Sequence, residues 1–300
     1  MRTPPTLEPS PPRWWFVFPR PSVGRLRLTA GGAIGLIIIA MILLAGICAP
    51  LVGRHGPVEQ DLLRRLQPPA WANGTMSYPL GTDSLGRDML SRLLYGARIS
   101  LAIGVSTVLI AGTIGLLLGL VAGYRGAWVE SLIMRLTDIQ LSVPFLIVAI
   151  ALVSIFGAGL GKMILVLVLF GWVEYCRIIH AEVLSHRERE FVAAARAIGC
   201  SNARILFLHI LPNVVSSVIV VATLQVGRMI LAEASLSFLG LGIQPPQPAW
   251  GTMVADGRDL LDSAWWISTL PGLAILMTVL GINFFGDWLR DVLDPTLRTA

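Results

Sequence analysis

The sequence predicts an all-α membrane protein with six transmembrane helices. Three observations carry the prediction. Of 300 residues, 55% are hydrophobic and only 14% are charged, against about a quarter charged in soluble domains. The apolar residues arrive in blocks of about 20, the length a helix needs to cross the hydrocarbon core. Polar stretches rich in glycine and proline separate these blocks.

Residues 1–29 form a cytoplasmic tail of prolines and arginines, with Trp14, Trp15 and Phe16 as an aromatic anchor at the membrane surface. The apolar run behind it is too long for a signal peptide, and no small-residue cleavage site follows. Residues 30–52 are free of charge and make the first span. Residues 53–98, with Pro57, Pro68, Pro69 and Pro79, are too polar to span and form an outer, periplasmic segment. The second span covers about Ile99–Tyr124. Its Gly115, Gly119 and Gly123 recur every fourth residue, so they share one face against which another helix of the chain packs closely. The third span, Leu136–Phe156, contains Pro144, which predicts a kink. A tight turn at Gly157–Gly161 leads to the fourth span, Met163–Arg177. A polar segment over residues 180–212 follows. The fifth span, Val214–Ala232, is opened by Pro212 and interrupted by Arg228. After a glycine- and proline-rich stretch over 235–263, the sixth span covers Trp265–Phe285, and residues 287–300 form a second tail.

The sequence pI is about 9.6, but the arginines are scattered over loops and termini. A nucleic-acid-binding face requires them in one stripe, so no nucleic-acid partner is expected. Basic residues collect on the cytoplasmic side of membrane proteins. Placing both ends inside puts the N-terminal arginines there with Arg125, Arg135, Arg177, Arg187, Arg189, Arg196, Arg204, Arg290 and Arg298. The short outer loops keep only Lys162 and Arg258. The arginines of residues 53–98 (Arg54, Arg64, Arg65, Arg87 and Arg92) run against this rule.

The residue patterns exclude several chemistries. Cys48, Cys176 and Cys200 form no CxxC pair, and the four histidines form no HExxH. His180 and His186 are expected to be solvated loop residues, and no metal or catalytic residue is assigned. The stretch FGAGLGKM at Phe156–Met163 misses the phosphate-loop pattern at both Phe156 and Met163. Any ATP hydrolysis therefore belongs to another subunit. Ionisable residues inside spans are costly in lipid and face protein or water. Asp138, Glu174, Arg228 and Glu233 have two open readings: a translocation path or interhelical pairing. Arg228 and Asp138 are the path candidates. Glu174 and Glu233, near predicted span ends, suit structural pairs.

The segment EFVAAARAIGCSNARILFLHILPN, Glu190–Asn213, stands apart from the spans. Phe191, Ala194, Ala195 and Ile198 share one helical face. Gly199 suits a helix C-cap and Ser201 an N-cap. The expectation is two short helices hinged at Gly199, presenting a shallow alanine surface to a partner.

This segment resembles the EAA loop of binding-protein-dependent ABC importer permeases. Ala193–Ala195, Gly199, Leu211 and Pro212 keep the motif spacing. Ala193 stands in place of the motif glutamate and His209 in place of its isoleucine. The stretches LGTDSLGRDMLSRLLYGARISL (Leu80–Leu101), FLGLGIQPPQPAWGTM (Phe238–Met253) and Ser263–Pro295 are similar to the C-type subunit of dipeptide and oligopeptide importers. The resemblance implies a type I ABC importer permease fold over residues 99–286, in a bacterial inner membrane with both termini cytoplasmic. It implies a related B-type permease as heterodimer partner, two cytoplasmic ABC ATPases that carry ATP and magnesium, and a periplasmic peptide-binding protein. It assigns coupling to the ATPases to Glu190, Ala193, Ala194, Ala195, Arg196, Gly199, Leu211 and Pro212, and no cofactor to this chain. Sister importers for nickel or glutathione stay open as alternatives, as does a secondary transporter driven by an ion gradient.

Overall fold

The computed structural model describes residues 28–53 and 55–293. The aromatic anchor at Trp14–Phe16, most of the first tail and residues 294–300 lie outside the described residues. The principal helices are α1 (Ala30–Ile47), α2 (Met89–Arg125), α3 (Ala127–Ser142), α4 (Phe145–Phe156), α5 (Leu160–Arg187), α6 (Glu190–Ala197), α7 (Asn202–Phe238), α8 (Trp250–Gly257) and α9 (Trp266–Leu293). Five of them, α1, α2, α5, α7 and α9, are long and apolar enough to cross a membrane. Helices α3 and α4 join at a 90° bend and together supply a sixth candidate span.

Several boundaries differ from the sequence expectation. Helix α2 starts at Met89, inside the expected outer segment, because Asp88 caps it. The Asp88 carboxylate accepts the backbone N–H groups of Leu90 and Ser91, both at 3.2 Å. Pro144 does not merely kink the third span. It starts a new helix at right angles to the one before. Helix α5 runs on to Arg187, so His180 and His186 are helical and not loop residues. His180 Nε2 lies 2.8 Å from Glu130 Oε1 of α3. Helix α9 continues to Leu293, through the first part of the expected tail.

The regular α-helix of the fifth span opens at Leu211 with Pro212 in its first turn, as expected, but helical winding already begins at Asn202 and α7 runs on through Pro212. Proline has no N–H to offer the carbonyl four residues back. The chain meets this by winding Ile205–Ile210 as π-helix, with the Leu211 N–H donating to the Leu206 carbonyl. The Asn213 amide donates at 2.6 Å to the His209 carbonyl.

The glycine face of α2 packs on α5 as the spacing predicts. A Cβ on Gly115 meets the Trp172 carbonyl at 2.4 Å, one on Gly119 meets the Cys176 carbonyl at 2.7 Å, and one on Gly123 meets Val183 Cβ at 2.7 Å. Over about two turns the two helices approach closely, which is how helices associate where no water drives them together. Gly119→Leu is expected to destabilise this pair by about 1–3 kcal/mol through overpacking, read as a lower thermal midpoint of the detergent-solubilised protein. An unchanged midpoint removes the close approach as a stabilising feature. Helix α1 seats Gly32 and Gly35 against Trp288 and Phe285 of α9 in the same way. Helix α7 lies among α2, α5 and α9, and α8 packs against α7 and α9.

Candidate functional site

At one end of the bundle, α5, α6 and α7 form a compact elbow. Helix α6 carries Glu190 in its first turn, where a carboxylate suits the positive end of the helix dipole. It ends in a Schellman motif. The Cys200 N–H donates to the Ala195 carbonyl and the Gly199 N–H to the Arg196 carbonyl, both at 3.0 Å. Gly199 sits at φ +80°. Ser201 then caps α7, accepting the Arg204 N–H at 3.4 Å. The expected pair of short helices is therefore one short helix and the first turns of a long one.

The buried face of α6 is Val192 and Ala195. They pack in one cluster with Leu120 of α2, Tyr175, Ile179 and Val183 of α5, and Ile205, Ile210 and Val214 of α7. Leu211 packs against the same cluster. Of the face expected from spacing, only Ala195 is buried. Phe191, Ala194 and Ile198 are exposed, Ile198 at 69%. Ala193, Arg196 and Pro212 are exposed as well. The Arg196 guanidinium lies over the Tyr124 ring at 5.8 Å, and the Tyr124 hydroxyl donates to Asn202 Oδ1 at 2.9 Å. Arg187 donates to the Gly123 carbonyl at 2.9 Å. These bonds tie the elbow to the end of α2.

From the elbow a cavity of about 680 Å³ extends along α5 and α7 to mid-span. Arg189 and Arg290 stand at its elbow end and Glu174 with Arg228 at its deep end. Arg228 Nη1 lies 2.5 Å from Glu174 Oε1 and 2.7 Å from Oε2, and Gln225 Nε2 donates to Glu174 Oε2 at 2.9 Å. Glu174 is central in α5, not at a span end as the sequence suggested. Its partner is the residue singled out as the leading path candidate. Asp138 does not join them. It pairs with Arg177 at 2.9 Å on an exposed surface between α3 and α5, outside the cavity lining. Glu233 is fully buried and accepts from Ser100 at 3.3 Å and from Ser237 at 2.6 Å, the interhelical role expected of it.

At the opposite end of the bundle, sequence reasoning missed an ionic clasp. Asp83 Oδ2 lies 2.5 Å from Arg87 Nε and 3.1 Å from Arg92 Nη1. Asp256 of α8 lies 3.5 Å from Arg87 Nη2 and 3.4 Å from Arg92 Nη2. The side chains of Asp83, Arg87 and Arg92 are 2%, 5% and 3% exposed. Burial pushes the Asp256 carboxyl above the usual carboxylate range, with Arg92 and Arg87 opposing the shift. Two of the arginines that ran against the charge rule are thus neutralised inside the protein.

The family model described as binding-protein-dependent transport system inner membrane component matches residues 115–299. The chain belongs to this family. It is a membrane component of the ABC importer class, and its match spans the glycine face, the elbow, the cavity and all of α9. Similar proteins extend the likeness to residues before 115. The di/tripeptide transport system permease protein DppC of Pseudomonas aeruginosa is 46% identical over 89% of this chain and 88% of its own length. The dipeptide transport system permease protein DppC of Alkalihalophilus pseudofirmus is 42% identical over 98% and 97%. That of Escherichia coli is 45% identical over 89% and 90%. In this importer component, the motif positions recognised by spacing fall on the elbow, and the recognised Leu80–Leu101 stretch supplies three of the four clasp residues.

Proposed function

We propose that this chain is one of two permease subunits of an ATP-driven importer of di- or oligopeptides, coupled through the α5–α7 elbow to separate ATPases. The peptide substrate rests on the names of the similar proteins. One observation supports the coupling role above the rest. Helix α6 offers Phe191, Ala194 and Ile198 outward while its other face is keyed by Val192 and Ala195 into a cluster shared by α2, α5 and α7. A push on the outer face therefore reaches three spans without a flexible joint. Glu190, Ala193, Ala194 and Arg196 form the contact surface. Gly199 fixes the turn, and Leu211 with Pro212 carries the motion into α7.

Both termini and the elbow lie on the cytoplasmic side, where the ATPases have access. Arg87 and Arg92 no longer oppose this orientation, because each is paired within the protein. A peptide-binding protein delivers substrate at the clasp end. Nucleotide hydrolysis belongs to the ATPases. The FGAGLGKM stretch here leaves α4, a helix, and enters α5, whereas a phosphate loop follows a strand. The second, B-type permease closes the cavity on its open side. Glu174 and Arg228 are partly exposed at mid-span, and a charge pair at that depth faces protein or water, not lipid.

Ala194→Arg tests the coupling surface. The long cation projects from the middle of the exposed α6 face and disturbs no buried contact. Peptide uptake by the assembled transporter is expected to fall about tenfold or more, the equivalent of about 1.4 kcal/mol of lost docking, and the ATPases are expected to co-purify poorly. Membrane levels of the chain stay unchanged. Full uptake with this variant rules out α6 as the ATPase contact.

A further inference from the structure

The Glu174–Arg228 pair borders two cavities at once. The cavity of about 680 Å³ reaches it from the elbow, and a second of about 400 Å³ reaches it from the bend between α3 and α4, where Gln140, Pro144 and Phe145 line the wall. Glu174, Gln225 and Arg228 line both. Each volume falls within the range of about 300–1,000 Å³ usual for small-molecule sites. Gln225 is 2% exposed, and its Oε1 has no hydrogen-bond partner, although buried carbonyl oxygens are nearly always satisfied. An unfilled acceptor thus sits beside a carboxylate and a guanidinium, on a partition between two cavities.

We infer that Glu174, Gln225 and Arg228 form a recognition site for a zwitterion, the free termini of a short peptide. The ammonium group takes Glu174 and the open Gln225 Oε1. The carboxylate takes the Arg228 guanidinium, whose planar fork suits bidentate pairing. At about 3.3–3.6 Å per residue, an extended dipeptide separates its charged ends by about 7 Å, so the ion pair must part to admit it. Both side chains are long enough to swing, and both face open space. The empty site is self-neutralised by its own pair. The filled site replaces that pair with two others, so no unpaired charge is left at mid-span in either state. This keeps the desolvation cost of the two states similar, as a passage site requires. A ligand with one blocked terminus leaves one protein charge unpartnered and is rejected.

The inference rests on the peptide reading above, and the test separates the two. The complete permease–ATPase complex is placed in nanodiscs without the binding protein. Binding of dialanine, N-acetyl-dialanine and dialanine amide is followed by saturation-transfer NMR. For the unaltered complex, each blocked form is expected to bind about tenfold or more weakly than dialanine, the discrimination a site built for a polar group achieves when that group is missing. Glu174→Gln should erase the discrimination against the acetyl form alone, and Arg228→Gln the discrimination against the amide alone. Arg228→Lys should keep both and controls for folding. Equal binding of all three ligands by the unaltered complex, no saturable binding of dialanine, or Glu174→Gln and Arg228→Gln variants that discriminate like the unaltered complex overturn the assignment. Uptake of labelled dialanine by the same complex with its binding protein is measured in parallel. Robust uptake combined with any of those results sinks the site and leaves the peptide reading standing. Absence of uptake sinks the peptide reading itself, and the assignment with it.

Discussion

Replacing Asp83 with alanine is expected to destabilise the clasp end of the bundle by about 3–5 kcal/mol, the cost of leaving buried charges without their partner. Asp83 does two jobs that no other residue can take over. Its carboxylate accepts the backbone N–H groups of Leu85 at 2.8 Å and Arg87 at 2.9 Å, which shapes the turn ahead of α2. It also neutralises the Arg87 and Arg92 guanidiniums, which are almost sealed from solvent. Without it both cations fall to Asp256 alone, at 3.4–3.5 Å and partly exposed. The segment is otherwise fixed to the bundle by the bond from the Trp266 indole to the Thr82 carbonyl at 3.0 Å and by Leu66 and Leu80, which pack against the cluster of Trp250 and Trp266. Loss of the clasp should therefore loosen residues 55–88. The measurement is thermal unfolding of the purified transporter together with limited proteolysis of that segment. Asp83→Asn keeps the two backbone acceptor contacts but not the charge, so its effect should be smaller. An alanine variant with the original midpoint and the original protease resistance contradicts the clasp.

The clasp also shows where sequence reading stops. Spans were legible because hydrocarbon thickness imposes an apolar run on each, and the glycine face of α2 was legible because close approach leaves no other residue type. Helix ends were not. Ser91, Arg92 and Arg98 read as loop, yet they continue α2, since their polar groups find partners in the protein. Arg92 meets Asp256, 164 positions away, and Arg228 meets Glu174, 54 positions away. No local pattern announces such pairs. The bend at Pro144 was visible as a proline, but its size depends on what packs beyond it, including the edge-to-face contact of Phe145 with Phe170 at 5.0 Å. On the elbow, helical spacing grouped Phe191, Ala194, Ala195 and Ile198 on one face, and of these only Ala195 is buried. Spacing identifies a face without saying which neighbour covers it, and here the covered face is Val192 with Ala195, while Phe191 and Ile198 point outward.

Gly199→Val should leave the protein in the membrane yet lower peptide uptake about tenfold, since a strain of about 1–2 kcal/mol for a side chain in the left-handed region is worth that factor. The cause is confined to the backbone. A Cβ on Gly199 meets nothing within 4 Å, so crowding plays no part, and the only objection to valine is φ +80°. Relieving that strain means giving up the bonds from Gly199 and Cys200 to the Arg196 and Ala195 carbonyls, and with them the fixed angle between α6 and α7. The core beneath, from Val192 to Val214, has no contact with the substituted side chain and should hold. The result is an elbow that still docks its ATPase but transmits less of the stroke. ATP hydrolysis should therefore continue while uptake falls, a split that simple unfolding does not produce. Gly199→Asn supplies the control, because asparagine enters the left-handed region with little penalty and should retain most transport. If valine and asparagine behave alike, the angle at Gly199 is not what carries force into α7. If hydrolysis falls in step with uptake, the variant has lost its ATPase instead of its stiffness.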